Sequence, residues 1–289
     1  MMAEESKWQL NGLSWLELLT RVWEEVLRDD LLGKAAQLGF YFLLALFPAL
    51  LCFTALIGLL PIQSITPDLL NYLNTVLPSE SIPLIETYLE QVVAGSGSGV
   101  VSLSFLGAFW AVSTGMAAII DTLNAVYNVR DSRPMWKARG IAMIMSIGAS
   151  LFVIVSMFLI LAGGYVSQWI AEIVGYGAVF TISWAIVQWP LVVACMLLAV
   201  SMIYYMAPNI AHTWRMITPG SVVAVALWLL ASLGFKYYVA NFGTYNAAYG
   251  SLAGVIVLML WLYMSGLVLL IGGEVDAVLE GSARDQTKT

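Results

Sequence analysis

The stretch STGMAAIIDTLNAVYNVRD, residues 113–131, sets Asp121, Asn124 and Asn128 three and four residues apart, on one helix face that Ser113, Thr114 and Ala117 extend. A carboxylate and two carboxamides at this spacing have two uses inside an apolar helix. They can line a wet cavity that meets a cation, a proton or a substrate, or they can lock neighbouring helices by hydrogen bonds near the interface. Lys236, followed by Tyr237 and Tyr238, either contacts an anionic group or snorkels its ammonium to the lipid headgroups. Tyr245 and Tyr249, in YNAAYGSLAG, suit an interfacial aromatic belt or the outer gate of a pathway. Pro48 in FPALLC and Pro190 in WPLVVAC each remove a backbone hydrogen bond near a helix midpoint, freeing carbonyls that could coordinate a substrate or ion. Their matched positions are either the trace of an inverted repeat or two ordinary membrane-helix kinks.

These eight residues are the candidate pathway or binding set. No catalytic, cofactor or metal site is expected. The single histidine, His212, sits in APNIAHTWR without Cys, His or carboxylate neighbours at ligand spacing. There is no phosphate-binding loop, nucleophile elbow or His-Glu motif. Cys52 and Cys195 are expected about nine residues apart in depth, on the order of 14 Å at 1.5 Å per residue, beyond disulfide reach. Both read as packing residues.

The elements that position these groups follow from composition. With 61% hydrophobic and 10% charged residues, the chain lies well outside the soluble range of roughly 45–50% apolar. It reads as all-α, a polytopic membrane helix bundle. Six runs have spanning length, approximately 35–60, 101–127, 141–163, 178–206, 219–240 and 250–273. The first is too long for a signal-peptide core, so the N-terminus is expected to be retained.

Eleven of the twelve Lys and Arg residues fall on one side of this six-span arrangement, Lys236 being the exception. Both termini are therefore expected to be cytoplasmic. The predicted organisation is a cytoplasmic amphipathic helix within 1–34, a six-helix transmembrane domain over 35–280 and a cytoplasmic tail over 281–289. In the first of these, LSWLELLTRVWEEVLRDD places Leu16, Leu19, Trp23 and Val26 or Leu27 on one face. That face either lies on the membrane or packs on the bundle. An acidic outer cap is expected over 61–100, with Asp68, Glu80, Glu86 and Glu90. Glu274 and Asp276 follow the last span and are expected to pair with the basic loop at 130–139. No basic stripe is available for nucleic acid, so the expected partners are the lipid bilayer and a small-molecule or lipid substrate.

KAAQLGFYFLLALFPALL (34–51), DTLNAVYNVRD (121–131) and, above all, AAYGSLAGVIVLMLWLYMSGLVLLIGGEVDAVLE (247–280) carry a family pattern: Tyr-Gly, small residues, a Trp-Leu-Tyr core and a Gly-x-Glu end. Over nearly its whole length the chain resembles the YihY/BrkB family of bacterial inner-membrane proteins. The resemblance implies six spans, cytoplasmic termini and a location in the bacterial cytoplasmic membrane. Members were once labelled ribonuclease BN, and others carry names tied to serum resistance, envelope integrity or transport of solutes or lipid precursors. The residues supply no chemistry for RNA cleavage, so the chain is expected not to be an enzyme. The expected function is a transporter or permease of a small solute or lipid-type substrate, with a non-transporting envelope-integrity or scaffold protein as the alternative.

Overall fold

A computed structural model describes residues 13–59, 98–174, 177–210, 216–240 and 251–286. Residues 61–97 of the segment expected as an outer cap, together with Tyr245, Tyr249 and His212, lie outside the described residues. Every regular element among the described residues is a helix. Its helices are α1 (Trp15–Arg28), α2 (Leu31–Leu59), α3 (Ser98–Val126), α4 (Met135–Val174), α5 (Gly177–Met206), α6 (Pro219–Ala240) and α7 (Ser251–Gln286).

Four described segments are long and apolar enough to cross a membrane: Phe109–Val126, Ile186–Met206, Pro219–Val239 and Gly254–Ser282. Their outer faces fit that solvent. Ile186, Val187 and Trp189 on α5, and Leu229, Leu230 and Leu233 on α6, are exposed, as expected of helices surrounded by hydrocarbon rather than by water. α7, with 36 residues, is about 54 Å long and so exceeds a hydrocarbon core of about 30 Å.

The chain divides into two compact units. One comprises residues 42–115; within it Ser113 is fully buried, its hydroxyl donating to the Trp110 carbonyl at 2.8 Å. The other comprises residues 1–41 and 116–289 and holds the core. There α4 packs on α5, α5 on α6, α6 on α7, and α1 on α7.

α1 starts at Ser14, whose hydroxyl accepts from the Glu17 N–H at 3.2 Å while the Glu17 carboxylate accepts from the Ser14 N–H at 2.8 Å. This reciprocal cap satisfies two N–H groups at the helix start. The buried face of α1 is Leu18, Val22 and Val26. The stripe picked out by periodicity is divided by this packing: Val26 is buried, whereas Leu16, Leu19, Trp23 and Leu27 are exposed together with Trp15. α1 therefore carries two apolar faces, one against the bundle and one open.

α6 and α7 approach closely because glycines remove the intervening side chains. A Cβ at Gly272 would lie 2.6 Å from the Gly220 carbonyl oxygen and 2.7 Å from the Ala224 Cβ. One at Gly273 would lie 2.7 Å from Leu123 Cδ2. Farther along the same helix pair, Trp261 stacks obliquely between Trp228 and Phe235 at centroid distances of 5.4 and 5.1 Å, and Trp228 Nε1–H donates to Ser265 Oγ at 3.1 Å.

Candidate functional site

The polar side chains gather where α3 ends, at the end of the bundle that α1 covers. α3 stops by a pair of carbonyl-satisfying bonds: the Val129 N–H donates to the Asn124 carbonyl at 2.9 Å and the Asn128 N–H to the Ala125 carbonyl at 3.0 Å. Asn128 takes the left-handed conformation this stop requires, with φ of 52°. Asparagine tolerates it because its short amide can bond locally.

Asn124, one turn earlier, is 4% exposed. Its Nδ2 donates to Asp131 Oδ2 at 3.2 Å, and its Oδ1 accepts from the Asn209 N–H at 2.7 Å. Asp131 in turn receives Arg133 through Nε at 2.8 Å and Nη2 at 2.7 Å. The guanidinium also reaches the end of α5, where Nη2 donates to the Ala207 carbonyl at 2.8 Å. A cation on the last carbonyls of a helix complements both their lone pairs and the helix dipole. The Arg133 side chain donating to Asp131 holds that carboxyl below the usual carboxylate range. Asn124 thus belongs to a lock joining the ends of α3 and α5.

Asp121 stands apart. It is exposed, and no described bond of this lock reaches it. Asn128 turns the other way, its Nδ2 donating to Asp29 Oδ2 at 3.4 Å. The three residues expected as one polar surface therefore have three different surroundings, and only Asn128 lies beyond the end of the helix.

A second group lies on α7. Asp276 is 6% exposed, and its Oδ1 accepts from the Gly220 N–H at 2.7 Å, capping the start of α6 from a neighbouring helix. Glu274 is 1% exposed, and among the described residues its Oε2 has no hydrogen-bond partner. Instead of the basic loop, it faces Glu25 and Asp29 of α1, one carboxylate oxygen from each residue lying within 4.8 Å of the others. Arg28, with a side chain 60% exposed, pairs with Glu25 and lies 3.6 Å from Asp29 Oδ1. The Lys34 ammonium donates to the Asp29 main-chain carbonyl.

Beside this cluster opens a pocket of about 290 Å³ whose walls include Arg21, Glu24, Glu25, Asn128, Glu274 and Glu280. It lies between α1, the end of α3 and α7. Among the described members of the candidate set, Asn128 alone lines it. The ion pair expected of Glu274 with the basic loop is replaced by these α1 carboxylates; the sequence signal beside it is the Gly272-Gly273 pair, which brings this turn of α7 close to α6 and Leu123.

The remaining candidates lie elsewhere. Lys236 is exposed and borders a separate cavity of about 360 Å³ with Phe235, Leu258 and Trp261. It is 16 residues beyond Gly220 along α6, roughly 24 Å from the acidic pocket's end of that helix. Pro190 is exposed and α5 runs through it. Pro48 falls within α2, with its side chain outside the described residues. Cys195 is a free thiol on the wall of an apolar groove of about 610 Å³ between α4 and α5, with Met145, Gly148, Phe152 and Val155.

Residues 22–289 match the family model described as virulence factor BrkB. A protein of Bacillus subtilis (strain 168) named YfkH, ribonuclease-like only in its provisional name, is 33% identical over 247 residues, covering 86% of this chain and 89% of its own. Two UPF0761 membrane proteins are similar. That of Alkalilimnicola ehrlichii is 29% identical over 94% of this chain and 61% of its own, and RSc1559 of Ralstonia nicotianae is 31% identical over 87% and 56%. The chain thus spans little more than half the length of these two relatives. No solved structure matches.

Proposed function

Because the chain belongs to the BrkB family and is a multi-pass membrane protein, we propose that it transports a small solute or a lipid-type substrate, with the α1–α7 pocket as the vestibule on one side. The observation that carries this reading is Glu274. Its covered, unpartnered carboxylate oxygen sits on a membrane-length helix beside a pocket with polar walls. Ionisable groups held inside membrane bundles mark ion and substrate pathways.

The distribution of Lys and Arg supports six spans with both termini cytoplasmic, which makes the pocket an inner vestibule in the bacterial cytoplasmic membrane. The apolar α4–α5 groove favours a substrate with an acyl chain over a wholly polar one.

Purified protein reconstituted in liposomes tests this reading. Movement of a fluorescent phospholipid or of a small solute above the protein-free rate, reduced by Glu274→Gln, is expected. A wild-type chain inactive across such a panel would leave the non-transporting scaffold reading, which the open apolar face of α1 favours.

A further inference from the structure

We infer that Glu25, Asp29 and Glu274 form a binding site for a divalent cation of the hard, oxygen-preferring class, joining α1 to α7 at the wall of the pocket. The inference rests on reading that pocket as a ligand site. Two independent observations carry it.

The first is geometric. Oxygens that share a calcium-like ion at 2.3–2.6 Å can be no farther apart than about 5 Å, and one oxygen from each of the three carboxylates meets that limit at 4.8 Å. The second is Glu274 itself. At 1% exposure and with Oε2 unbonded among the described residues, it adds a covered acceptor to this group of three carboxylates. A covered carboxylate without a donor is costly unless a charge or a proton satisfies it.

The basic groups nearby do not take that role. Arg28 sits on the solvent side, paired with Glu25, and Lys34 is committed to the Asp29 main-chain carbonyl. Arg28 Nε lies 3.6 Å from Asp29 Oδ1, and Asn128 Nδ2 donates to Asp29 Oδ2, orienting the carboxylate as an outer-shell partner does in metal sites. Arg21 is engaged away from the cluster, its Nη1 donating to Ser282 Oγ at 3.4 Å. Two ligands come from the last turn and C-cap of α1 and one from α7, so the cation would tie an otherwise peripheral helix to the bundle.

The test uses the full chain in detergent or nanodiscs, stripped with chelator and titrated separately with Mg²⁺, Ca²⁺ and Mn²⁺. At least one ion, at constant ionic strength, is expected to raise the melting temperature and to slow tryptic cleavage after Arg28. In Glu274→Gln and Glu25→Gln the apparent affinity should fall at least about tenfold, the scale on which even the loss of an outer-shell partner acts. Glu24→Gln, which alters the pocket wall but not the cluster, should respond as wild type. Glu25 is only half-buried, so its variant keeps the comparison available where Glu274→Gln fails to fold. No divalent response in the wild type overturns the inference. So does a response unchanged in the folded glutamine variants, or a stabilisation that follows pH and ignores the ions, which would assign Glu274 a proton. Binding is read here without flux: a chain that binds the cation and carries nothing keeps this site and loses the transport reading, whereas one that carries substrate and ignores divalent ions does the reverse.

Discussion

Asp276 of α7 holds the start of α6 by accepting the Gly220 N–H at 2.7 Å, and the two helices meet there closely enough that Gly272 has no room for a methyl group. The bond and the close approach depend on each other. Asp276 reaches Gly220 only because no Cβ separates the backbones, and the orphan N–H groups at the start of α6 find a charged acceptor only because Asp276 reaches them.

Gly272→Ala is therefore expected to destabilise the chain by about 1–3 kcal/mol, the usual cost of overpacking. Asp276→Ala should lose about 1.5–3 kcal/mol, as a hydrogen bond with a charged partner does. Thermal or denaturant unfolding in detergent checks both, and the double variant should lose less than the sum because the sites are in contact.

The lock around Asp131 makes a separate expectation about acid. Arg133 holds the Asp131 carboxyl below its usual range, so the ionised form is favoured by folding. Its contribution is complete above the unfolded value of about 3.9 and disappears as pH falls through the lower folded value. Asp131→Asn should remove this part of the acid transition and should also lower stability at pH 7, as read by unfolding at a series of pH values.

Asn124 and Asp121 should behave differently despite lying one turn apart. Asn124→Ala leaves the Asn209 N–H without its acceptor and should cost about 1–3 kcal/mol. Asp121→Asn, at an exposed position, should change stability by less than about 0.5 kcal/mol. Equal losses in the two variants would contradict the separation of the stripe described above.

The open face of α1 should meet lipid. Trp15 and Trp23 are 71% and 63% exposed beside Leu16 and Leu19, an arrangement suited to the headgroup boundary. With the other tryptophans replaced by phenylalanine, brominated phospholipids should quench Trp23 strongly. Glutamate at Leu16 and Leu19 should abolish that quenching while Leu18, Val22 and Val26 keep the helix folded against the bundle.

Helix was legible in the sequence wherever length and apolar content sufficed, as in α5, α6 and α7, because a spanning segment must satisfy its own backbone. The orientation of α1 was legible only in part. Lipid and protein core reward the same apolar side chains, so periodicity found Leu16, Leu19 and Trp23 without revealing that Leu18 and Val22 face the bundle. The stripe from Asp121 to Asn128 does not reach its last member as a helix face, because α3 ends at Val126, two residues before Asn128. Glu274 was visible as a carboxylate beyond an apolar run, but its neighbours come from residues about 250 positions earlier, a pairing that spacing cannot express.

The Arg133 lock also sets an order of assembly. Its guanidinium bonds the Ala207 carbonyl, 74 residues downstream. At a translation rate of about 5–20 residues per second, the partner emerges roughly 4–15 s after the arginine. Until then the ends of α3 and α4 are a half-built joint, and α5 must be inserted before it can close. The closure is a late milestone in biogenesis, reached only when the 40 residues of α4 and the 30 of α5 have been made and the chain has folded back on itself.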